Sequence, residues 1–187
     1  MLNLRQIALA AFVIWVLIDS VVVFRWKTGA AENRDRRSLR VLMVLSSIVC
    51  FFAIRSAFAP GAARVQETWL QWIGLGVMAG GIALRFRSIA VLGEFHTPNV
   101  AIRAQHRLIE RGPYRHVRHP SYLGALIGFD GFGLALGDWR SVALFLLVMP
   151  LPYLFRIREE EAALAGAFGE QYVAYQRRTK RLIPGVY

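Results

Sequence analysis

Long apolar segments impose the strongest constraint on the fold of this chain. The first, Leu4 to Phe24, contains 21 residues and would form a helix about 31 Å long, which matches the hydrocarbon thickness of a bilayer. Two more apolar segments follow at 41–59 and 69–87. Because 56% of the residues are hydrophobic and only 19% are charged, lipid is the expected solvent for much of the chain.

The second half of the sequence predicts a helical hairpin. Two apolar segments, 122–136 and 141–157, are separated by the turn GDWR. Both are shorter than the roughly 20 residues of a full span, and Pro150 and Pro152 should kink the second. The charged residues 158–179 then predict a cytoplasmic C-terminal helix.

Together these segments predict an all-α integral membrane protein with about five transmembrane helices and no Rossmann domain. Two regions are expected: residues 1–92, which hold the N-terminal transmembrane helices, and residues 93–187, which hold the hairpin and the C-terminal helix. We expect the first segment to be a retained anchor, because its start is nearly uncharged and no small-residue cleavage site follows it.

Small residues in the third apolar segment favour close helix packing. The sequence GLGVMAGG resembles a nucleotide-binding loop, but no strand precedes it and its surroundings are apolar. Helix packing is therefore the better interpretation of its glycines, Gly74, Gly76, Gly80 and Gly81. The single cysteine, Cys50, also lies in an apolar segment, which excludes a disulfide framework and a thiolate metal cluster.

The basic residues predict the orientation of the chain. The net charge is +11, and 19 of the 23 Lys and Arg residues fall in three segments on one side of the predicted helices, leaving Arg5, Arg55, Arg64 and Arg140 on the other. The positive-inside rule then places the N-terminus outside and the C-terminus in the cytoplasm, in the inner membrane if the cell is bacterial. The rule also explains the charge without a nucleic acid partner.

Polar groups gather at the cytoplasmic ends of the predicted hairpin. All four histidines, His96, His106, His116 and His119, precede its first arm, and an acidic triplet, 159–161, follows its second. A hairpin brings these groups into one pocket at the membrane surface. Arginine and tyrosine beside a span are also common interfacial anchors, and a metal site on His116 and His119 is disfavoured because Pro120 interrupts helix there.

Two motifs resemble the isoprenylcysteine carboxyl methyltransferase family of integral membrane enzymes. They read HRLIERGPYRHVRHPSYLG and RIREEEAALAGAFGEQYVAYQRRTKRLIP, and the resemblance extends over roughly residues 93–184. It implies that the chain uses S-adenosylmethionine without a Rossmann domain. It also implies an acceptor dissolved in the bilayer: a prenylated thiol acid, another lipid-soluble carboxylate, a thiol or an amine.

The resemblance also implies site residues. Carried over by position, Arg156, Glu160 and Arg118 are catalytic, with Arg156 orienting the acceptor, and no metal is required. The residues at or around the cofactor would be His106, Leu108, Gly112, Pro113, Tyr114, Arg118, His119, Pro120, Tyr122, Glu159, Glu160, Tyr172 and Tyr175. Arg118 or His119 suits the carboxylate of the cofactor, a glutamate its ammonium or ribose, and Tyr114 or Tyr122 its adenine.

Two other functions are compatible with the sequence. Membrane sterol-type reductases have a similar C-terminal half, and RRTKRLIPGVY could contact the 2′-phosphate of NADPH. A non-enzymatic scaffold could instead bind anionic lipids through the basic face. The charges Asp19, Arg55 and Asp130 lie within apolar segments and are expected to line a lipid-side entrance or to pair with one another.

Overall fold

A computed structural model describes residues 3–25, 36–96, 108–185 and 187. This described part is helical and contains no β-strand, only two isolated bridges between extended residues. Its seven α-helices are α1 Leu4–Arg25, α2 Arg36–Phe58, α3 Thr68–Leu92, α4 Pro120–Ala135, α5 Trp139–Ala143, α6 Pro150–Phe168 and α7 Glu170–Arg178. The prediction of an all-α protein without a Rossmann domain is confirmed.

Among the described residues, four helical stretches are long and apolar enough to cross a membrane: Leu4–Val22, Arg37–Phe58, Thr68–Phe95 and Trp139–Phe168. The chain is an integral membrane protein. The predicted segment 122–136 forms α4, whose 16 residues give about 24 Å of helix, less than a full span. Most of its residues are buried against neighbouring helices, and α5 and residues 144–148 pack beside it as the start of the second arm of the predicted hairpin.

Helix boundaries differ from the sequence expectation at two glycines. Helix α3 continues through Arg85 and stops at Gly93, which has a φ of 56°. The predicted helix 158–179 is divided between α6 and α7 by Gly169, which has a φ of 51°. Both are left-handed conformations that glycine adopts at helix ends. The division of the chain at residue 92 stays a prediction.

The second arm of the hairpin departs from α-helical geometry just before its first proline. Residues 144–148 form a π-helical turn, in which the Met149 backbone N–H donates to the Leu144 carbonyl at 3.1 Å. Pro150 has no N–H to donate and its ring crowds the preceding turn, and a π turn is one way in which a helix accommodates such a local disturbance. The helical arm therefore continues through two prolines as α5, the π turn and α6.

Helices α3 and α4 pack backbone to backbone. A Cβ on Gly81 would press on the Gly128 nitrogen and lie 2.6 Å from the Gly124 carbonyl oxygen, and a Cβ on Gly131 would press on the Met78 nitrogen. Gly74 lies equally close to Ala135, so the two helices run antiparallel. By contrast, Gly76 and Gly80 face open space. The packing interpretation thus holds for two of the four predicted glycines, 74 and 81.

An aromatic cluster fills the interior between α1, α4 and the π turn. Phe12 stacks on Phe132 with ring centroids 4.1 Å apart, and Trp15 and Phe145 both pack against Phe129. Because aromatic rings bury large apolar areas, this cluster anchors α1 to the hairpin.

Basic residues assigned to the non-cytoplasmic side lie together at one end of the bundle. Arg5 donates to the carbonyl of Ala57 at 3.2 Å, Arg64 forms a backbone bridge with Asp138, and Arg140 donates to the Gly61 carbonyl. The motif residues lie at the opposite end, where α4 begins. This arrangement agrees with the separation of basic residues on which the orientation was predicted.

Candidate active site

The RHPSY motif forms the start of helix α4. Pro120 occupies the first turn, where its missing N–H costs no helical hydrogen bond, and His119 is the N-cap residue. Just before it, residues 112–115 form a 3₁₀ turn that begins at Gly112, with a φ of 60°. The predicted cofactor residues 112–114 and 118–120 are therefore joined by only three residues, 115–117.

The segment after α7 lies alongside this motif. The backbone N–H of Arg118 donates to the Lys180 carbonyl at 2.8 Å, and that of His119 donates to the Arg181 carbonyl at 3.0 Å. Residues 179–182, which we call the C-terminal strap, therefore pair with the beginning of α4. The two resembling motifs are thus brought into direct contact.

Glu161 is the centre of a buried ionic cluster. Its side chain lies between three cationic or titratable groups: Arg118 Nε at 2.7 Å, Arg181 Nε at 2.8 Å and His119 Nε2 at 3.4 Å. Only 5% of Glu161 is exposed. A carboxylate held by two arginines in such a site stabilises the strap against α4 and α6.

Arg118 is committed to this structural cluster. Besides Glu161, its guanidinium donates to the carbonyls of Gln176, at 3.2 Å, and Thr179. These are carbonyls at the C-terminal end of α7, where a helix favours positive charge. Arg118 therefore holds α7 and the strap in place, and the cofactor contact that the resemblance implied for it stays a prediction.

A second polar cluster runs from α4 through α6 to α2. Tyr122 Oη donates to Glu160 Oε2 at 2.7 Å, and Arg156 Nε approaches Tyr122 Oη at 3.4 Å. Arg156 Nη1 donates to Ser38 Oγ at 2.5 Å. Arg156 is only 2% exposed, so this predicted site residue is a buried cation.

The acidic triplet divides into one exposed and two inward residues. Glu159 is exposed, whereas Glu160 and Glu161 continue the buried face that begins at Tyr153 and passes through Arg156 and Ile157. Spacings of three and four residues along that face would have distinguished Glu161 from Glu159. Sequence reasoning missed Glu161 and also Ser38, which no motif marks.

Three buried tyrosines lie next to these clusters. Tyr175 Oη donates to the Tyr114 carbonyl at 2.6 Å, while the Tyr172 hydroxyl is buried with no hydrogen-bond partner among the described residues. Burial raises the pKa values of all three phenols, so they remain neutral at physiological pH. The Tyr172 hydroxyl is therefore a buried group able to bond to a ligand.

The histidines have different environments. His119 is buried and stacks on Tyr122 with ring centroids 5.6 Å apart, and His116 is exposed. Burial and the nearby charge of Arg85 lower the pKa of His96 to about 4, so its imidazole is neutral at pH 7. His106 lies outside the described residues. Leu108, which is also predicted to lie around the cofactor, is half-buried.

Asp19 pairs with Arg85 on the membrane side of the site. Arg85 Nε and Nη2 donate to the two carboxylate oxygens at 2.5 and 2.8 Å, and Arg85 Nη1 donates to Ser121 Oγ at 3.2 Å. The pair joins α1, α3 and the start of α4. Asp19 therefore pairs with Arg85 and not with Arg55 or Asp130. Arg55 is exposed, and Asp130 Oδ1 is buried without a hydrogen-bond partner in the described part of the chain.

Replacing Glu161 with glutamine should release the strap. The change removes the negative charge between Arg118 and Arg181, and loss of one partner of a buried ionic cluster costs about 3 kcal/mol. We expect a lower melting temperature in detergent and faster proteolysis between residues 177 and 182. Glu159→Gln is the control, because Glu159 is exposed on the same helix. Equal melting and proteolysis in the two variants would contradict this role.

The sequence and the fold both match known proteins. Residues 69–171 match the family model described as phospholipid methyltransferase. Protein-S-isoprenylcysteine O-methyltransferase B of Arabidopsis thaliana is 34% identical over 147 residues, which cover 78% of this chain and 73% of the relative. A cobalt-zinc-cadmium resistance protein, CzcN of Cupriavidus metallidurans, is 31% identical and covers 90% of this chain and 75% of the relative. The solved structure of a eukaryotic intramembrane Ras methyltransferase, isoprenylcysteine carboxyl methyltransferase, superposes with a TM-score of 0.72 at 24% identity, covering 98% of this chain and 67% of that one.

Proposed function

Because the chain belongs to the phospholipid methyltransferase family and its relatives include isoprenylcysteine O-methyltransferases, we propose that it transfers a methyl group from S-adenosylmethionine to a lipophilic carboxylate. The acceptor class that fits best is a prenylated cysteine, as in the name of the Arabidopsis relative. The observation that carries the proposal is the buried Arg156, which is joined through Tyr122 to Glu160, one helical turn later in α6.

The residues around this cluster fit S-adenosylmethionine. The cofactor carries a carboxylate, an ammonium, a ribose diol and an adenine, each of which needs a different partner. The Glu160 carboxylate can accept from the ammonium or ribose, the buried Tyr172 hydroxyl can bond to a polar group, and the stacked His119 and Tyr122 can line the adenine. In this proposal Arg118 is a positioning residue, because its donors hold Glu161 and the end of α7.

Little acid–base chemistry is needed from the chain. When bound, S-adenosylmethionine supplies an electrophilic methyl group on a sulfonium. A carboxylate acceptor has an unperturbed pKa of about 4 and is already ionised at pH 7, so no general base is required. Arg156 orients that carboxylate through its guanidinium fork, and correct alignment can contribute up to about 7–11 kcal/mol.

The membrane arrangement follows from the same proposal. The basic segments and the site lie at the cytoplasmic surface, with the N-terminus outside and, in a bacterial cell, the inner membrane as host. The cofactor arrives from water and the acceptor from the bilayer. In this proposal both reach the site where the start of α4 meets the middle of α6.

Ligand titration of the detergent-purified protein tests the cofactor. We expect saturable binding of S-adenosylhomocysteine and none of NADPH. Glu160→Ala should weaken binding about tenfold, the value of a hydrogen bond to a charged group. His119→Ala should also weaken binding, because it removes the ring proposed to line the adenine. Glu67→Ala is the control and should bind like wild type, because Glu67 is exposed at the start of α3, at the opposite end of the bundle. Binding of NADPH alone would indicate the reductase, and binding of neither compound would favour a scaffold.

Methyl transfer from labelled S-adenosylmethionine tests the acceptor. The assay offers N-acetyl-S-farnesylcysteine, a long-chain fatty acid and a long-chain thiol in parallel. The proposal predicts methylation of the farnesylcysteine at its carboxylate. The relatives do not all carry the name of a prenylcysteine methyltransferase, so the assay also includes other acceptors. Methylation of the thiol alone would support a methyltransferase activity but reject the carboxylate acceptor.

A further inference from the structure

Ser38 connects the N-terminal half of the chain to the candidate site. It is the third residue of α2, it is fully buried, and its hydroxyl accepts a hydrogen bond from Arg156 Nη1 at 2.5 Å. The residues are 118 positions apart in the sequence. Helix α2 therefore reaches the site through this side chain, although the resembling motifs all lie after residue 92.

The contact constrains the plane of the Arg156 guanidinium. A guanidinium is flat and presents its N–H groups in a rigid fork. Tyr122 Oη lies 3.4 Å from Nε, and Ser38 Oγ contacts Nη1. Two contacts at different nitrogens limit rotation about the end of the side chain. Helix α2 therefore helps to determine which N–H groups of Arg156 face an acceptor.

We infer that Ser38 is a positioning residue, which aims the Arg156 guanidinium at the carboxylate of the acceptor and makes the start of α2 part of the acceptor site. The inference depends on the proposed methyltransferase activity. It predicts an effect on the acceptor that is separate from any effect on the cofactor, because Ser38 contacts Arg156, the residue proposed to orient the acceptor. A purely structural serine would instead affect stability and both substrates together.

Three serine variants test the inference. Ser38→Ala removes the hydroxyl, Ser38→Thr retains it, and Ser47→Ala removes a hydroxyl from the exposed side of α2, where it bonds only within its own helix to the Met43 carbonyl at 2.7 Å. For each variant we would measure the KM of both substrates, the affinity for S-adenosylhomocysteine and the melting temperature. Binding of N-acetyl-S-farnesylcysteine and of its methyl ester, which lacks the charge, would be measured by thermal-shift titration.

We expect Ser38→Ala to raise the acceptor KM and weaken binding of the farnesylcysteine acid about tenfold, while the ester and S-adenosylhomocysteine bind within twofold of wild type. Ser38→Thr should restore most of the loss, and Ser47→Ala should match wild type. A Ser38→Ala protein with an unchanged acceptor KM, or with acid and ester weakened equally, would overturn the inference. Failure of the wild-type protein to bind S-adenosylhomocysteine or to methylate the acid would instead reject the proposed function.

Discussion

Replacing Arg156 with lysine should lower kcat/KM for the acceptor at least about 100-fold. Lysine retains the positive charge but lacks the planar fork, so it cannot contact Tyr122, Ser38 and a carboxylate in the geometry of the guanidinium. Small displacements of a positioned reactant can cost about 100-fold in rate. Initial rates of methyl transfer at several acceptor concentrations would measure the loss.

Affinity for the product of the cofactor is the internal control for this experiment. S-Adenosylhomocysteine should bind to Arg156→Lys within about twofold of wild type, because the proposed cofactor contacts come from other residues. Arg158→Lys is the matched control, since Arg158 lies two residues away on the exposed side of α6. Activity close to wild type in Arg156→Lys would mean that positive charge alone is sufficient, and would contradict the role given to the guanidinium fork.

Replacing Gly131 with valine should prevent the normal packing of α3 against α4. A Cβ at this position would press on the backbone nitrogen of Met78 and lie 2.7 Å from the Gly74 carbonyl oxygen. Backbone atoms cannot rotate away as a flexible side chain can, so the helices must separate. Overpacking of this kind costs about 3 kcal/mol or more, which corresponds to a melting temperature about 10 °C lower.

Gly80→Val provides the matched control for the packing prediction. Gly80 lies on α3, the helix that packs against α4, but a Cβ there would meet no neighbouring atom of the described residues within 4 Å. The same substitution should therefore change the melting temperature by little. Fluorescence-detected size exclusion and thermal melting of both variants in the same detergent would make the comparison. Equal behaviour of the two proteins would contradict the close approach of the helices.

Local sequence patterns predicted that several side chains of the candidate site lie close together. The hairpin brought Tyr122 near Arg156 and Glu160 as predicted, because its two arms must end on the same side. Ser38 could not be predicted in this way. It is a small polar residue beside arginines at the start of a span, and its contact depends on how α2 packs against α6, which no local spacing reports.

The fold shows a similar division. Apolar length predicted the membrane character and the approximate positions of α1, α2 and α3. It could not show that α4 packs closely against α3, because length and hydrophobicity do not reveal which neighbours bury a segment. The break at Gly169 was missed because the charged pattern continues on both sides of a residue whose importance lies in its backbone angle.

The Asp19–Arg85 pair has a consequence for the biogenesis of the protein. Helix α1 enters the membrane during synthesis with an ionisable carboxyl group that gains its partner only when α3, 66 residues later, is in place. An unpaired charge within the bilayer costs up to about 3 kcal/mol on translocon insertion scales. Until α3 is inserted, α1 therefore carries an unpaired ionisable group and is less stable in the bilayer than it is in the finished bundle. Insertion of α3 supplies Arg85 and removes that cost.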